Sequence, residues 1–415
     1  MTSADQDLAP RRAALDLLAA ALSRRAGLDE AASRGAFQKL SPRERGFARA
    51  MTMATLRHLG PIDHALEARL AKPPPESVKN ILRLGATQAL VLETPAFAAV
   101  ATSVDLAASL KETRPFKGLV NAVLRGILRE PPDVQEAQSL APAWLYARWS
   151  AAFGAEAARA IAAEIAREPA ADLTLRSPAE AQTWADALQA EILPGATLRT
   201  ALKGDPATWP GFEEGAWWVQ DASAAVPARL LNLQPGETAV DLCAAPGGKT
   251  LQLAAAGAVT VAVDRSAARL ERVRENLTRM KLEAEVVAAD AADWADERLF
   301  DAVLLDAPCS ATGTFRRHPD VLWAARPGDV AALAAVQARL LDSAARRTAA
   351  GGRMVYCVCS LEPEEGEAQV QAFLSRTPNF SLDPIAPGEG GAPEASLRSE
   401  GTLRILPHHR PGGTD

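Results

Sequence analysis

The sequence predicts a multidomain chain. An all-helical front leads, through a small α+β segment, into an α/β domain built on an open parallel sheet. Three observations predict it. Residues 11–130 carry apolar side chains at helical spacing with no strand-like alternation. Short runs rich in Val, Ala and Leu recur from residue 238 onward and read as buried parallel strands. Several end in an acid: 259–263 before Asp264, 284–289 before Asp290, and 300–305 before Asp306. Finally, the apolar run 238–242, which contains Asp241, enters Cys243-Ala244-Ala245-Pro246-Gly247-Gly248-Lys249-Thr250. That is the order of strand, tight loop and helix start at which open α/β sheets bind nucleotide-like ligands.

The 415 residues allow two to three domains, and 48% hydrophobic with 23% charged residues is ordinary for a soluble chain. Net charge is −6, with a mildly basic front and an acidic back. This permits an RNA-facing front without requiring one. Residues 1–10 are polar and lack the apolar stretch of a signal peptide. No apolar run reaches the ~18 residues of a membrane span. The expectation is a cytoplasmic protein with no membrane partner. The four cysteines, Cys243, Cys309, Cys357 and Cys359, form no C-x-x-C pair, so neither a metal site nor a structural disulfide is expected.

In the front, residues 13–22 place Leu15, Leu18 and Leu22 on one face. Ser41 and Glu44 make a capping box with Pro42 at the first helical position. The helix that follows is expected to run to about Leu59 and stop at Gly60-Pro61. The prolines of 72–77 break the chain before further helices over 78–92, 100–110 and 117–128. His58 and His64 read as packing or surface residues. Arg11, Arg12, Arg43, Arg45 and Arg49 suit either exposed helix surface or a phosphate-contacting stripe.

Pro131-Pro132 ends the front, giving boundaries of 1–132, 133–220 and 221–415. Residues 142–149 and 153–167 predict two helices. A strand at 172–176, a helix at 179–190 and shorter strands up to Trp217-Trp218-Val219 predict the small, RRM-like α+β subdomain. The tryptophans fit buried core, or base stacking on RNA. Later, 329–350 predicts a long helix, 353–358 a strand and 362–373 an acid-started helix.

The loop at 243–250 is neither a P-loop, since Cys243 stands where the first Gly belongs, nor a Gly-x-Gly-x-x-Gly fingerprint. It suits an amino-acid-bearing nucleoside with no phosphate to hold. Four carboxylates, Asp241, Asp264, Asp290 and Asp306, are expected along one rim, with Asp264 placed for a ribose hydroxyl pair. Cys309 and Cys359 each follow a strand end, so both thiols are expected to face the pocket floored by this loop. Beside a methyl donor, a thiolate has a specific use. Adding it to C6 of a pyrimidine makes C5 able to attack an electrophilic methyl. Asp306 is placed to supply the hydrogen bond the ring needs at N3. Spacing alone leaves open which cysteine attacks. The Arg316-Arg317-His318-Pro319-Asp320 segment reads as basic and beside the rim.

Together DLCAAPGGKT (241–250), DAPCSATG (306–313), RRHPD (316–320) and CSLEPEE (359–365) resemble the Sun-type RNA cytosine-C5 methyltransferases. GLVNAVLRGILR (118–129) looks like the NusB-type RNA-binding domain of the bacterial RsmB/Fmu branch. The resemblance covers nearly the whole chain. It implies a NusB-like all-α domain and a Rossmann-like class I methyltransferase domain. It implies S-adenosylmethionine as cofactor, held by Cys243, Ala244, Ala245, Pro246, Gly247, Gly248, Lys249, Asp264, Asp290 and Asp306. It also implies Cys359 as the C6 nucleophile, Cys309 as the residue that assists product release, and Asp306 as their catalytic companion. DNA cytosine methyltransferases attack instead with the cysteine at the position of Cys309. The implied substrate is one cytosine of small-subunit (16S) ribosomal RNA, modified by a monomer before subunit assembly and unstacked to reach the pocket.

Two departures stand out. Val358-Cys359-Ser360 replaces the usual Thr-Cys-Ser, and Cys357 replaces Ser or Ala. The family pattern also continues past Leu406-Pro407-His408-His409 into a final strand, whereas this chain ends at Asp415, so one sheet edge is expected to lack that neighbour. The alternatives are a methyltransferase of transfer RNA or DNA, and an inactive RNA-binding assembly factor.

Overall fold

A computed structural model describes residues 3–23, 27–33 and 35–415, the side chains of 3–7 and 29 excepted. The chain divides into two compact units. One comprises residues 1–168 with 315–325, and the other 169–314 with 326–415.

The first unit is helical. Its core gathers Leu15, Leu18, Met51, Leu56, Ile62, Ile81, Leu82, Val120, Leu124 and Ile127. The helix Pro42–Arg57 begins with the expected box: Ser41 N–H donates to Glu44 Oε2 at 2.8 Å, and Ser41 Oγ accepts from Glu44 N–H. Gly60-Pro61 does not end the helical path. The turn breaks at His58 (φ −110°), and a second helix, Leu59–Glu67, contains both residues. Pro61 falls in its first turn, where backbone N–H groups have no intrahelical partner to lose. Gly60 is needed for contact, since a Cβ there would lie 1.8 Å from the Ser139 carbonyl oxygen. His58 is buried, and its Nδ1 meets the Ala54 carbonyl at 2.9 Å, while His64 is exposed.

The helices Ala143–Phe153 and Ala155–Ala163 belong to this first unit. Residues 315–325 cluster here too. Phe315 rests against Trp149, with ring centroids 6.0 Å apart. Arg57 donates to the Ile165 carbonyl at 3.1 Å and to the Arg316 carbonyl. The Arg316 guanidinium is only 1% exposed and lies 3.8 Å from Glu164. Arg316, the first residue of the basic segment, is thus a buried cation of the helical unit.

Among the described residues of the second unit, nine strands form two sheets. The smaller contains β1 (Ala171–Leu175), β2 (Ala190–Leu193), β3 (Thr197–Thr200) and β4 (Trp217–Val219), in antiparallel order β2-β3-β1-β4. Trp217 and Trp218 are buried, which settles them as core rather than stacking platforms; their ring N–H groups donate to the Pro210 carbonyl and to Gln220.

The larger sheet contains β5 (Thr238–Leu242), β6 (Val259–Asp264), β7 (Glu285–Ala288), β8 (Phe300–Asp306) and β9 (Thr348–Cys357), all parallel, in the order β7-β6-β5-β8-β9. The path runs from β5 outward to β7, then returns to β5's other side at β8. That reversal puts a crevice at the carboxyl end of β5. β5, β6 and β8 are largely buried, as their apolar runs require. β7 is not: as an edge strand it is half exposed, with Arg298 clamping Glu285 at 2.7 Å. β9 is the other edge. Its register against β8 slips at Gly351-Gly352, where Phe300 faces Thr348 but Ala302 faces Arg353. The expected helix over 362–373 begins only at Glu367 and runs to Arg376. Residues 360–365 turn inward instead, for a reason that lies in the site. No described helix is long and apolar enough to cross a membrane.

Candidate active site

The loop leaving β5 turns sharply over small residues. Cys243 and Gly247 take left-handed backbone (φ +68° and +105°), and the Ala245-Pro246 peptide is cis. Ala244 N–H donates to the Val263 carbonyl and Gly247 N–H to that of Ala244, which knits the loop onto β6. Gly247 packs closely on the neighbouring helix Ala267–Met280: a Cβ would stand 3.2 Å from Val273. The helix Gly248–Ala255 starts here and aims its N-terminus into the crevice.

Three of the four expected carboxylates lie along the rim. Asp264 ends β6, accepting from Ala245 N–H at 3.1 Å and Ser266 N–H at 2.9 Å. Asp290 follows β7, is exposed, and accepts from Ala292 N–H. Asp306 ends β8 and meets the Lys249 ammonium at 2.7 Å. Asp241 departs from the expectation. It is wholly buried beneath the loop, where Thr250 Oγ donates to one oxygen at 2.6 Å and Oδ1 has no hydrogen-bond partner among the described residues. Burial pushes its carboxyl up to about 7, and the neighbouring Asp306 adds to the effect. Burial alone would lower the Lys249 pKa, but Asp306 and Asp241 outweigh it, so the ammonium is held charged.

The thiols divide into two kinds. Cys243 and Cys357 are held protonated. Burial, then the nearby carboxylates, raises Cys243 to about 12 and takes Cys357 well above the usual thiol range. Cys357 donates to Asp306 Oδ1 at 3.5 Å. It packs with Val355 on one face of the sheet, while Val358 packs on the other, as strand alternation predicts. Cys309 and Cys359 form a pair, their sulfurs 3.3 Å apart. Cys359 is exposed, and its hydrogen bond to Cys309, followed by burial, raises the Cys309 pKa. The carbonyl of Cys359 also accepts from Gly313 N–H at 2.9 Å, so the loops after β8 and β9 are joined through backbone as well.

Contacts therefore run from Lys249 through Asp306 to Cys357, and from the same β8 loop through Cys309 to Cys359. Lys249, Asp306, Cys309 and Cys359 come together at one end of one sheet. The donor set around the Gly-rich loop suits an amino-acid-bearing nucleoside. It offers the buried acid Asp264 at the end of β6, the exposed Asp290 beside it, and a helix N-terminus over small residues. Among the described residues no group of His, Cys, Asp and Glu is arranged to hold a metal ion.

The sequence reading missed what holds the thiol loops. Glu365 is fully buried and accepts from Ser310 N–H (2.9 Å), Ser310 Oγ (2.5 Å), Ser360 Oγ (2.6 Å) and Gln337 Nε2 (3.0 Å). This demand turns residues 360–365 inward and delays the next helix. A signal was present: each of the paired cysteines is followed by a serine.

Two family models match the chain, "16S rRNA methyltransferase RsmB/F" over residues 228–413 and "NusB family" over residues 8–129. Among curated relatives, ribosomal RNA small subunit methyltransferase B of Cronobacter sakazakii is 36% identical over 83% of this chain and 85% of that protein. The protein of the same name from Salmonella arizonae is also 36% identical, over 86% and 89%. A solved structure titled "Crystal Structure of PH0851" superposes with a TM-score of 0.76 at 25% identity, covering 95% of both chains. NSun6 from Pyrococcus horikoshii, solved with SFG, shares the fold with a TM-score of 0.55 at 20% identity, over 66% of this chain and 96% of that one. A NusB-type helical front, a parallel sheet of methyltransferase type and these relatives agree: the chain belongs to the ribosomal RNA small subunit methyltransferase B family of S-adenosylmethionine-dependent RNA methyltransferases.

Proposed function

We propose that this enzyme methylates C5 of one cytosine in small-subunit (16S) ribosomal RNA, with Cys359 as the attacking nucleophile. The observation that carries the reading is the 3.3 Å approach of Cys309, on the loop that begins at the Lys249–Asp306 pair, and Cys359, on the loop after β9.

S-adenosylmethionine, when bound, supplies an electrophilic methyl group at the cytosine C5. Asp264 would accept hydrogen bonds from its ribose hydroxyls, and Asp290, Asp306 and the backbone and side chains of 243–249 would complete its cradle. Of the two paired thiols, Cys359 is the exposed one and Cys309 the one held protonated. The Cys359 thiolate adds to C6, forming an S–C6 bond and shifting electron density onto C5 and N3. The Lys249–Asp306 pair, 2.7 Å apart, meets the N3 edge and offsets the charge developing there, the ammonium donating the hydrogen bond. After methylation the C5 proton passes to water, and the S–C6 electron pair returns to Cys359 as that bond breaks. The Cys309 thiol, in contact with Cys359, assists release by hydrogen-bonding to the departing sulfur. Cys357 steadies Asp306 from beneath and takes no part in bond making.

The first unit binds the RNA, with Arg43 and Arg45 among the phosphate contacts. The enzyme acts in the cytoplasm, as a monomer, on RNA not yet enclosed in the subunit. The base is unstacked to reach the thiols. The test is methyl transfer from labelled cofactor to unmethylated small-subunit RNA, followed by mapping of the modified base. Label in transfer RNA or DNA alone would overturn the substrate, and no transfer to any nucleic acid would overturn the activity.

A further inference from the structure

The two thiol loops are not held together by the cysteines themselves. Ser310, the residue after Cys309, and Ser360, the residue after Cys359, both point their hydroxyls at Glu365 Oε2, and the two hydroxyls lie 3.0 Å from one another. The other carboxylate oxygen takes Ser310 N–H and the Gln337 side-chain amide. Gln337, on the helix Pro327–Arg347, also donates to the Pro308 carbonyl at 3.0 Å, one residue before Cys309. Tyr356 Oη donates to the Glu365 carbonyl at 2.5 Å, tying the clamp to β9. Ser360 Oγ accepts from Glu362 N–H, and Thr312 Oγ from Leu361 N–H. All four side-chain contacts of Glu365 are donors, so each is matched to an ionised carboxylate, which only accepts. A carboxylate with no exposed surface is costly unless satisfied in this way, and every donor here belongs to a segment that fixes one or other sulfur.

We propose that Glu365 is a positioning residue for the two-thiol step, setting the distance between Cys309 and Cys359 by binding the serine that follows each. It touches neither sulfur. Without its charge, the Ser310 and Ser360 hydroxyls, one backbone N–H and one amide must share a single, weaker accepting oxygen. Between the two loops there then remain the Gly313–Cys359 backbone bond, the bond from Leu361 N–H to Thr312 Oγ and the contacts among the Ser310, Thr312 and Ser360 hydroxyls, none of which carries a charge. An ångström of drift between reacting groups is worth up to about a hundredfold in rate. The burden falls on the step that needs both thiols, release of the methylated base, and spares RNA binding. This role rests on the reaction proposed above, but the distance it sets is measurable without that reaction.

The test uses the full-length protein with neither RNA nor cofactor. Diamide, a two-electron oxidant, joins two neighbouring thiols as a disulfide while its azo bond takes up the two protons and two electrons. Peptide mass spectrometry follows the Cys309–Cys359 product. Glu365→Gln keeps the shape and removes the charge, and Ser310→Ala removes one arm. The expected result is coupling slowed about tenfold in E365Q and several-fold in S310A. Alkylation of the exposed Cys359 by iodoacetamide should stay within about twofold of wild type. In methyl transfer, kcat should fall about tenfold with KM for RNA nearly unchanged. Unchanged coupling in both folded variants would overturn the proposal, and if E365Q does not fold, S310A decides. Should the wild-type protein transfer no methyl group, the proposed reaction fails while the coupling rates still decide the role of Glu365.

Discussion

Replacing Asp241 by Asn tests the electrostatics beneath the cofactor loop. The Asp241 carboxyl is wholly buried, and burial lifts its pKa from 3.8 to about 7. Between those two values the folded protein keeps a proton that the unfolded chain has already released. Folding stability therefore falls as pH rises from about 4 to about 7, and the loss stays complete above that. At about 1.4 kcal/mol for each pH unit, the carboxyl costs about 3 kcal/mol between pH 5 and pH 8. Asn retains an oxygen for the Thr250 hydroxyl and never ionises. Any loss of packing from the substitution is the same at both pH values and cancels in the comparison. The assay is urea unfolding of wild type and D241N at pH 5 and pH 8. Relative to wild type, D241N should gain about 3 kcal/mol on going to the higher pH, which is about 6–12 °C in Tm for a unit of this size. A constant difference between the two proteins would refute the reasoning, because Asp241 would then ionise in the folded state as readily as in the unfolded chain.

Other expectations follow from the same geometry. Iodoacetamide at pH 8 should modify Cys359 first and leave Cys243 and Cys357 largely intact in the native state; equal labelling of all four, read by mass spectrometry, would contradict the burial that raises the latter two. Lys249→Met should leave Asp306 without its cation and lower methyl transfer by about a hundredfold, measured with saturating labelled cofactor; a loss below about threefold would remove Lys249 from the stabilisation of charge at N3. Arg43→Glu with Arg45→Glu should weaken RNA binding and reduce the magnitude of the slope of log K against log salt by about two, and an unchanged slope would return both residues to plain helix surface.

The parallel sheet and its Gly-rich loop were legible because their signals are local. Apolar runs ending in Asp mark strand ends, and small residues mark the loop. The capping box at Ser41 and Glu44 was legible for the same reason. Helix ends were less so. Gly60-Pro61 looks like a stop, yet a proline in a first turn breaks nothing, and only contact with Ser139 explains the glycine. The partners of 315–325 were not readable at all. In sequence Arg316 reads only as part of a basic segment beside the rim, and its burial beside Glu164 depends on residues about 150 positions away. Asp241 reads as a rim residue because its neighbours are; the chain does not say which of several acids in strand-end positions lies under the loop. Glu365 was hidden by a pattern that also fits a helix start, and the demand of two distant serines decided otherwise.

The central claim, attack by Cys359 and release through Cys309, is tested most directly with the two alanine variants and labelled small-subunit RNA on a denaturing gel. The account predicts that Cys309→Ala accumulates a slow-migrating covalent protein–RNA species in the presence of cofactor, and that Cys359→Ala forms neither this species nor methylated product. Full methyl transfer by Cys359→Ala, or an adduct that persists in it and vanishes in Cys309→Ala, would assign the attack to the other sulfur and contradict the account.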